Sequence, residues 1–365
     1  MLTLTKDEVM QIYKKIDSLH RKLGSNIREF EGGAGLPMSY SDRLTEEINL
    51  LRNGCGLFDL KACWLIALNG EDAGIFLQGL VTSDVLKLKL GQIQSSLICD
   101  NKGKILHHIK IFRSQEKEWV VICDPGNGKS VSRILDNFHV REDLELRLLN
   151  NEEIFRLDLI GPQSIKIIKK MGCLLEKYQW NFKNSIVFSV QYNLGETFRI
   201  INFVHARVLQ NFVEQIIKED SADLISLKSF DEIRIIEGLP RIGVDYNIGN
   251  LPQEVCLGDH ISYNKGCYIG QETHARMFHR GHSNRVLVWL NMPENLKTIA
   301  GEILFHNFKE IGKITSIGSF REDGVIKGIG MIKNEIANEE ILLSINNGME
   351  LIKQKFLPFH IKKQI

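Results

Sequence analysis

The chain has 365 residues, enough for two or three domains of about 100–200 residues with sizeable cores. Its 43% hydrophobic and 25% charged content suits a globular protein, and a formal net charge of +1 excludes a global field aimed at nucleic acid or an anionic membrane. No apolar run reaches the roughly 18–20 residues that span a bilayer. Met1 to Leu23 lacks the apolar core of a signal peptide and, with Asp7, Glu8 and Asp17, is too acidic for a transit peptide, so a cytoplasmic location is expected.

Thr5 and Glu8 form a capping box ahead of Val9, Ile12, Tyr13, Ile16 and Leu19, which fall on one helical face, and Gly24 supplies the stop. Gly32-Gly33-Ala34-Gly35-Leu36-Pro37 reads as a loop. Trp64 to Leu68 reads as a strand closed by the Asn69-Gly70 turn, and Ala73, Phe76, Leu77 and Leu80 as a short amphipathic helix. Ser95–Cys99 and Lys104–Arg113 read as strands joined by the turn Asp100-Asn101-Lys102-Gly103, followed by a strand at Glu118–Cys123 and a helix at Asn127–Phe138. Further strands are expected at Ile154–Ile160, Ser185–Tyr192 and Phe198–Val204. Helices are expected after Gly161-Pro162 through Lys170, at Ala206–Lys218 and at Ser229–Glu237. Beyond Arg285 the texture becomes short β-rich runs, Val286–Leu290, Ile311–Ile317 and Val325–Ile332. Hairpins interleaved with helices imply an α+β fold with antiparallel sheets.

The seven cysteines, Cys55, Cys63, Cys99, Cys123, Cys173, Cys256 and Cys267, contain no C-x-x-C pair and no disulfide, zinc or iron–sulfur spacing. Most have apolar neighbours and read as small buried hydrophobes. No metal site is expected: Cys256 with His260 and His279 with His282 have workable spacing but no complete ligand set. Cys267 stands apart. It lies in Lys265-Gly266-Cys267-Tyr268-Ile269-Gly270-Gln271-Glu272, between two glycines of the kind that mark a sharp turn or close approach. Ile261 and Tyr263 read as a strand leading in and Gln271 onward as a helix. A helix N-terminus and Lys265 both favour thiolate. A structural cysteine in a tight turn is the competing reading.

That run resembles the K-G-C-Y-x-G-Q-E hallmark of the YgfZ family, folate-binding relatives of the glycine-cleavage T-protein GcvT. Other blocks carry the same resemblance: Gly56-Leu57-Phe58-Asp59-Leu60, Phe76 through Val85, Leu159-Ile160-Gly161-Pro162, Glu232 through Arg241, and Arg276 through Arg285. The resemblance implies a three-lobed, cloverleaf-like α+β fold with a C-terminal β-barrel-like domain. It implies an N-terminal helical extension over 1–30, a folate-binding region of two interleaved subdomains over 31–282, and the barrel-like domain over 283–365. The implied ligand is tetrahydrofolate or a one-carbon derivative.

By the same resemblance, Gly195-Glu196 matches the step whose carboxylate pairs with the pterin, which presents an N–H and an amino group side by side. A solvated loop glutamate is the alternative. Asn127 matches a loop asparagine loosely, or is a helix N-cap. Arg234 and Arg241 are candidates for the glutamate tail of folate, although Arg234 also suits a pair with Glu237 at i,i+3. Tyr268 and Gln271 join the folate-binding set, with Cys267 and Lys265 as the candidate working residues.

One departure bears on activity. In aminomethyltransferases the strand after the equivalent of Asp100–Gly103 carries an aspartate pair, one of which positions the substrate amine. Here the positions hold His107 and His108, poor replacements for a permanent anion. Satisfied structural histidines are the competing reading. The basic cluster Arg276, His279, Arg280, His282 and Arg285 reads as a solvated face or a polyanion contact. The leading functional expectation is therefore a folate-binding protein supporting iron–sulfur cluster assembly or repair in transiently bound client enzymes, with Cys267 as working group. The alternatives are a folate-dependent aminomethyltransferase and a non-catalytic folate-binding regulator of tRNA modification. The family implies a monomer.

Overall fold

The computed structural model describes residues 5–30, 34–152, 154–172, 187–337, 342–345 and 350–356. Cys173, Gly32-Gly33 and the start of the strand expected from Ser185 lie outside the described residues. The elements in chain order are α1 (Lys6–Lys22), β1 (Asn26–Glu29), β2 (Gly35–Ser39), α2 (Leu44–Asn53), β3 (Cys55–Asp59), β4 (Trp64–Asn69), α3 (Ala73–Leu80), β5 (Ile93–Cys99), β6 (Ile105–Gln115), β7 (Glu118–Cys123), α4 (Gly128–Phe138), β8 (Glu145–Leu148) and β9 (Ile154–Ile160). They continue with α5 (Ser164–Lys170), β10 (Val187–Gln191), β11 (Arg199–His205), α6 (Ala206–Ile217), β12 (Ala222–Ile225), α7 (Leu227–Ile236), α8 (Gln271–Arg280), β13 (Arg285–Pro293), β14 (Ile303–His306), β15 (Lys309–Glu322), β16 (Val325–Lys333), β17 (Leu342–Ile345) and β18 (Glu350–Phe356).

Two compact units emerge, and the chain passes between them more than once. The first comprises Met1–Gln78, Val85–Ser95 and Ile109–Phe230; the second comprises Gly79–Asp84, Ser96–His108 and Asp231–Ile365. The first is built on two five-stranded sheets. One has the order β10-β11-β9-β3-β12 and the other includes β6-β7-β4-β8. The first sheet is antiparallel except at β12, which runs parallel to β3, with Leu224 opposite Leu57. The periodicity of α1 places Tyr13 and Ile16 in the core, and its capping box forms as the sequence requires. With Leu209 and Phe212 of α6, they cover Phe155, Leu157 and Leu159 on one face of β9.

Strand alternation sends the intervening β9 residues to the opposite face. There Ile154, with Ile201 and Phe203 of β11, packs against Leu65, Phe112, Val120 and Ile122 of the second sheet, and Phe112 stacks on Phe203 at 5.5 Å between centroids. Two arginines and an aspartate share that inward face. Asp158 accepts from Arg156 Nε at 2.9 Å and Nη2 at 2.7 Å, and from Arg199 Nε at 2.8 Å; all three are fully buried.

A second buried ionic group joins α1 to β3. Lys61 Nζ donates to Asp17 at 2.7 Å, Asp59 at 2.6 Å and Gly35 O at 3.1 Å. His20 spans Tyr40 Oη at 2.7 Å and Asp59 at 3.1 Å. Such a network holds only while every member is paired, because an isolated buried charge is costly.

The second unit carries a closed barrel of order β13-β16-β15-β14-β17-β18. Val286, Val288 and Leu290 alternate into its core with Ile314, Ile329 and Ile332. Two side chains of α7 bind the barrel strands. Glu232 accepts from the Ser319 backbone N–H, and the Arg234 guanidinium donates to Ser316 Oγ at 2.9 Å. The strand expected through Ile261 and Tyr263 is absent. A single 3-10 turn, Gly258–His260, is followed by irregular chain whose Ser262 N–H bonds Thr82 O at 2.9 Å; apolar alternation over three residues without a ladder partner does not make a strand.

Candidate functional site

In the second unit the run Lys265–Glu272 is a connector. Gly270 caps α8 with φ +85°. A Cβ there would lie 2.7 Å from Asp100 O and from Gly103 Cα, so glycine is needed both for the left-handed backbone and for the close approach of the Asp100–Gly103 turn. Tyr268 Oη meets His274 Nδ1 at 3.1 Å, and His274 Nε2 bonds Gly103 O at 2.7 Å. On that assignment Nε2 carries the proton and Nδ1 accepts from the tyrosine. Burial lowers the His274 pKa, in keeping with a neutral ring. Lys265 Nζ donates to Val81 O at 2.6 Å and Ser83 O at 2.8 Å and lies 4.9 Å from the Tyr268 ring centre. Burial pushes this amine down to about 8. Lys265 thus clamps the 81–83 loop, and α8 is docked on the turn that opens β6. Gln271 sits half-buried at the first position of α8.

That turn leads to His107 and His108. Asp100 Oδ1 accepts from the Lys102 and Lys104 N–H groups, and Gly103 has φ +76°. The two imidazoles part company along β6. His107 is buried, and burial lowers its pKa. His108 is half-buried; its Nδ1 lies 3.3 Å from Tyr246 Oη and its ring 4.9 Å from that of His260. His260 is fixed from behind, since Thr82 Oγ1 donates to its carbonyl at 2.7 Å and Thr82 also binds Leu97 through both backbone and hydroxyl. The result is a cluster of two imidazoles and a phenol, side chains of the types that serve as proton donors and acceptors. Sequence spacing pointed to His108; His260 and Tyr246, more than a hundred residues downstream, carried no local signal for this role.

Cys267 is exposed, whereas Cys55, Cys63, Cys99, Cys123 and Cys256 are buried. Burial pushes the thiols of Cys55 to about 11 and of Cys63, Cys99 and Cys256 to about 12, which makes them inert as nucleophiles. Cys256 Sγ donates to Leu287 O at 3.4 Å, a structural role. Among the described residues no group of three or more His, Cys, Asp or Glu side chains is placed to hold a metal ion.

The remaining candidates divide between the units. Arg234 is buried and donates to Asp231, Leu239 O, Asp245 and Ser316, so four of its five N–H groups hold the protein together. Arg234 also forms an ion pair one turn back along α7, with Asp231 at 2.7 Å. Arg241 Nη2 pairs with Asp231 at 3.0 Å and is half-buried. Arg276 pairs with Glu272 at 2.6 Å on an exposed face of α8, and His279, His282 and Arg285 are exposed as well. In the first unit Asn127 occupies the N-cap of α4 yet makes no side-chain cap bond. Glu196 is exposed on the Leu194–Thr197 turn, where Gly195 has φ +61°.

The model of the GCVT N-terminal domain matches residues 16–192. An aminomethyltransferase of Desulfitobacterium hafniense is 28% identical over 353 residues, covering 93% of this chain and 94% of its own length. One from Halothermothrix orenii is 26% identical over 358 residues, covering 93% and 98%. The chain is similar to GcvT-type aminomethyltransferases over nearly its whole length. The structure of the glycine cleavage system aminomethyltransferase T from Bartonella henselae superposes with a TM-score of 0.81 at 22% identity, covering 94% of this chain and 96% of that one, so the chain has the T-protein fold. The relatives named here are aminomethyltransferases, and none of them is named for an iron–sulfur role. Among the described residues no helix is long and apolar enough to cross a membrane.

Proposed function

We propose that this chain is a folate-dependent aminomethyltransferase-like protein acting on tetrahydrofolate or a one-carbon derivative of it. The observation that carries the reading is likeness to aminomethyltransferases along nearly the whole of both chains. In such a transfer the aminomethyl carbon leaves a lipoyl sulfur and becomes bonded to two folate nitrogens. Thiol and ammonia depart, taking up the protons that the folate nitrogens lose. Here His108, with His260 and Tyr246, stands where a carboxylate is expected, and a neutral imidazole is suited to take one of those protons. Glu196 is assigned the pterin edge, with Asn127, Arg241, Tyr268 and Gln271 as further candidate contacts. Titration with tetrahydrofolate and its one-carbon forms tests the binding, and turnover with an aminomethyl-lipoyl carrier protein tests the chemistry. Absence of folate binding to the intact protein would end this reading.

A second reading has one observation in its favour: among the described cysteines only Cys267 is exposed, and it sits in the YgfZ-like run. On that reading the protein is YgfZ-type and supports iron–sulfur clusters or tRNA modification through Cys267, with Lys265 holding the loop beside it. Loss of client-enzyme activity in Cys267→Ala with folate binding intact separates it from the first. The three-lobed arrangement, the 1–30, 31–282 and 283–365 division, a monomeric state and a cytoplasmic location complete the proposal. Small-angle scattering, limited proteolysis, sedimentation and cell fractionation test these in turn.

A further inference from the structure

Lys110 is a cation with no assigned role, in an unusual place. It lies on β6 two residues before Phe112, whose ring stacks on Phe203 between the two sheets of the first unit, so alternation directs Lys110 into the same inter-sheet layer. Its Nζ lies 5.9 Å from the centre of the Tyr192 ring. Tyr192 is held by Ser95, Oγ to Oη 2.5 Å, and leads into the Leu194–Thr197 turn that carries Glu196. Lys110 also feels Asp124, the first residue of the Asp124–Asn127 turn, whose carbonyl accepts the Asn127 N–H. Lys110 therefore neighbours the segment that leads to Glu196 and feels the charge at the start of the turn that carries Asn127, the two segments to which the resemblance assigns folate contacts in this unit.

Arg156 and Arg199 both act on Lys110, and the Asp158 carboxylate is already shared by the two arginines. Lys110 is half-buried, and no hydrogen bond from its ammonium to a described residue accompanies the Tyr192 contact. A half-buried ammonium in a layer with two arginines gains from an acceptor oxygen.

We propose that Lys110 is a specificity-determining ligand residue that donates to the ring oxo group of a 2-amino-4-oxo heterocycle. This inference rests on the folate reading. A pterin presents its amino group and ring N–H toward a carboxylate such as Glu196, and its 4-oxo group lies next along the same edge. Glu196 reads the donors and Lys110 reads the acceptor.

Burial pushes the Lys110 amine down to about 8; Arg156 and Arg199 act in the same direction, and Asp124 and Asp158 oppose it. The ammonium is the donor, so its contribution is present below that pH and fades as pH rises through about 8.

The test compares tetrahydrofolate with its 4-amino-4-deoxy counterpart by calorimetric titration, on the wild type and on Lys110→Met, between about pH 7 and 9.5. In the wild type the preference for the oxo ligand should fall as pH rises through about 8. Lys110→Met should lose about tenfold to a hundredfold in that preference, the worth of one charged hydrogen bond, and its residual preference should not change with pH over this range. Equal oxo-to-amino ratios in wild type and variant overturn the inference. If Lys110→Met does not fold, a pH-independent ratio in the wild type alone overturns it. A wild type that binds neither ligand refutes the folate reading itself, a distinguishable failure.

Discussion

The two glycines of the Lys265–Glu272 run look equivalent in sequence, and the structure sets them apart. Gly270→Ala places a side chain on a backbone with φ +85°, which costs about 1–2 kcal/mol for a non-glycine residue. The new Cβ also meets Asp100 O and Gly103 Cα at 2.7 Å and Gly103 N at 3.0 Å. These are backbone atoms, so relief requires moving α8 or the turn, at about 1–3 kcal/mol by analogy with overpacked cores. The sum is about 2–5 kcal/mol. Gly266→Ala is the internal control: nothing lies within 4 Å of its Cβ, and its φ is outside the left-handed range, so it should stay within about 0.5 kcal/mol of wild type. Urea unfolding followed by circular dichroism reads both. Hydrogen exchange adds a local readout, because the Gly103 N–H bonds Asp100 O at 3.0 Å and the Lys104 N–H bonds Asp100 Oδ1 at 2.8 Å. Both amides should exchange faster in Gly270→Ala alone. Equal unfolding midpoints for the two variants would refute the packing argument, and with it the view that this run serves to fix the turn ahead of His107 and His108.

Other expectations follow from the same geometry. Asp59→Asn leaves the fully buried Lys61 with Asp17 as its remaining carboxylate and should cost about 3–5 kcal/mol in a denaturant melt. Burial alone would raise the Asp59 carboxyl, but Lys61 and then His20 outweigh it and hold it well below the usual range. Its stabilisation is therefore complete above about pH 4, the unfolded value, and is lost as pH falls toward the folded one; a midpoint-versus-pH curve flattened below pH 4 in Asp59→Asn checks the sign. His108→Ala should lower transferase turnover by about a hundredfold or more with little change in folate affinity, whereas His107→Ala, at a buried position, should appear chiefly in the melting curve. A maleimide pulse on the native protein should label Cys267, and Cys267→Ala should remove that fast fraction while leaving folate titrations unchanged.

What could be read from the sequence follows the range of the interactions involved. The capping box at Thr5, the Asp100–Gly103 turn, the β9 strand and the start of α8 at Gln271 were all legible, because each is written in a few adjacent residues. The parallel strand β12 was not: four residues, Ala222–Ile225, take their identity from pairing with Cys55–Phe58 more than 160 positions earlier. Ile261 and Tyr263 failed in the opposite sense, showing strand-like alternation with no ladder to join. The site divides in the same way. Cys267, Lys265 and His108 were marked by motif and spacing, but their surroundings were not. Lys265 had been expected to tune the thiol, and its ammonium is engaged by the carbonyls of Val81 and Ser83. Arg234 had been a candidate for an anionic tail, and its donors hold Asp231, Asp245 and the barrel strand β15. Lys110 carries no local signal in the sequence. Only the stacking of Phe112 on Phe203 reveals that its face of β6 is interior. A charged side chain on an inward face, in a layer that already holds Arg156, Asp158 and Arg199, is expensive unless a ligand shares it. That cost points to a position no motif marks, and makes the oxo-versus-amino titration the sharper test of the folate reading.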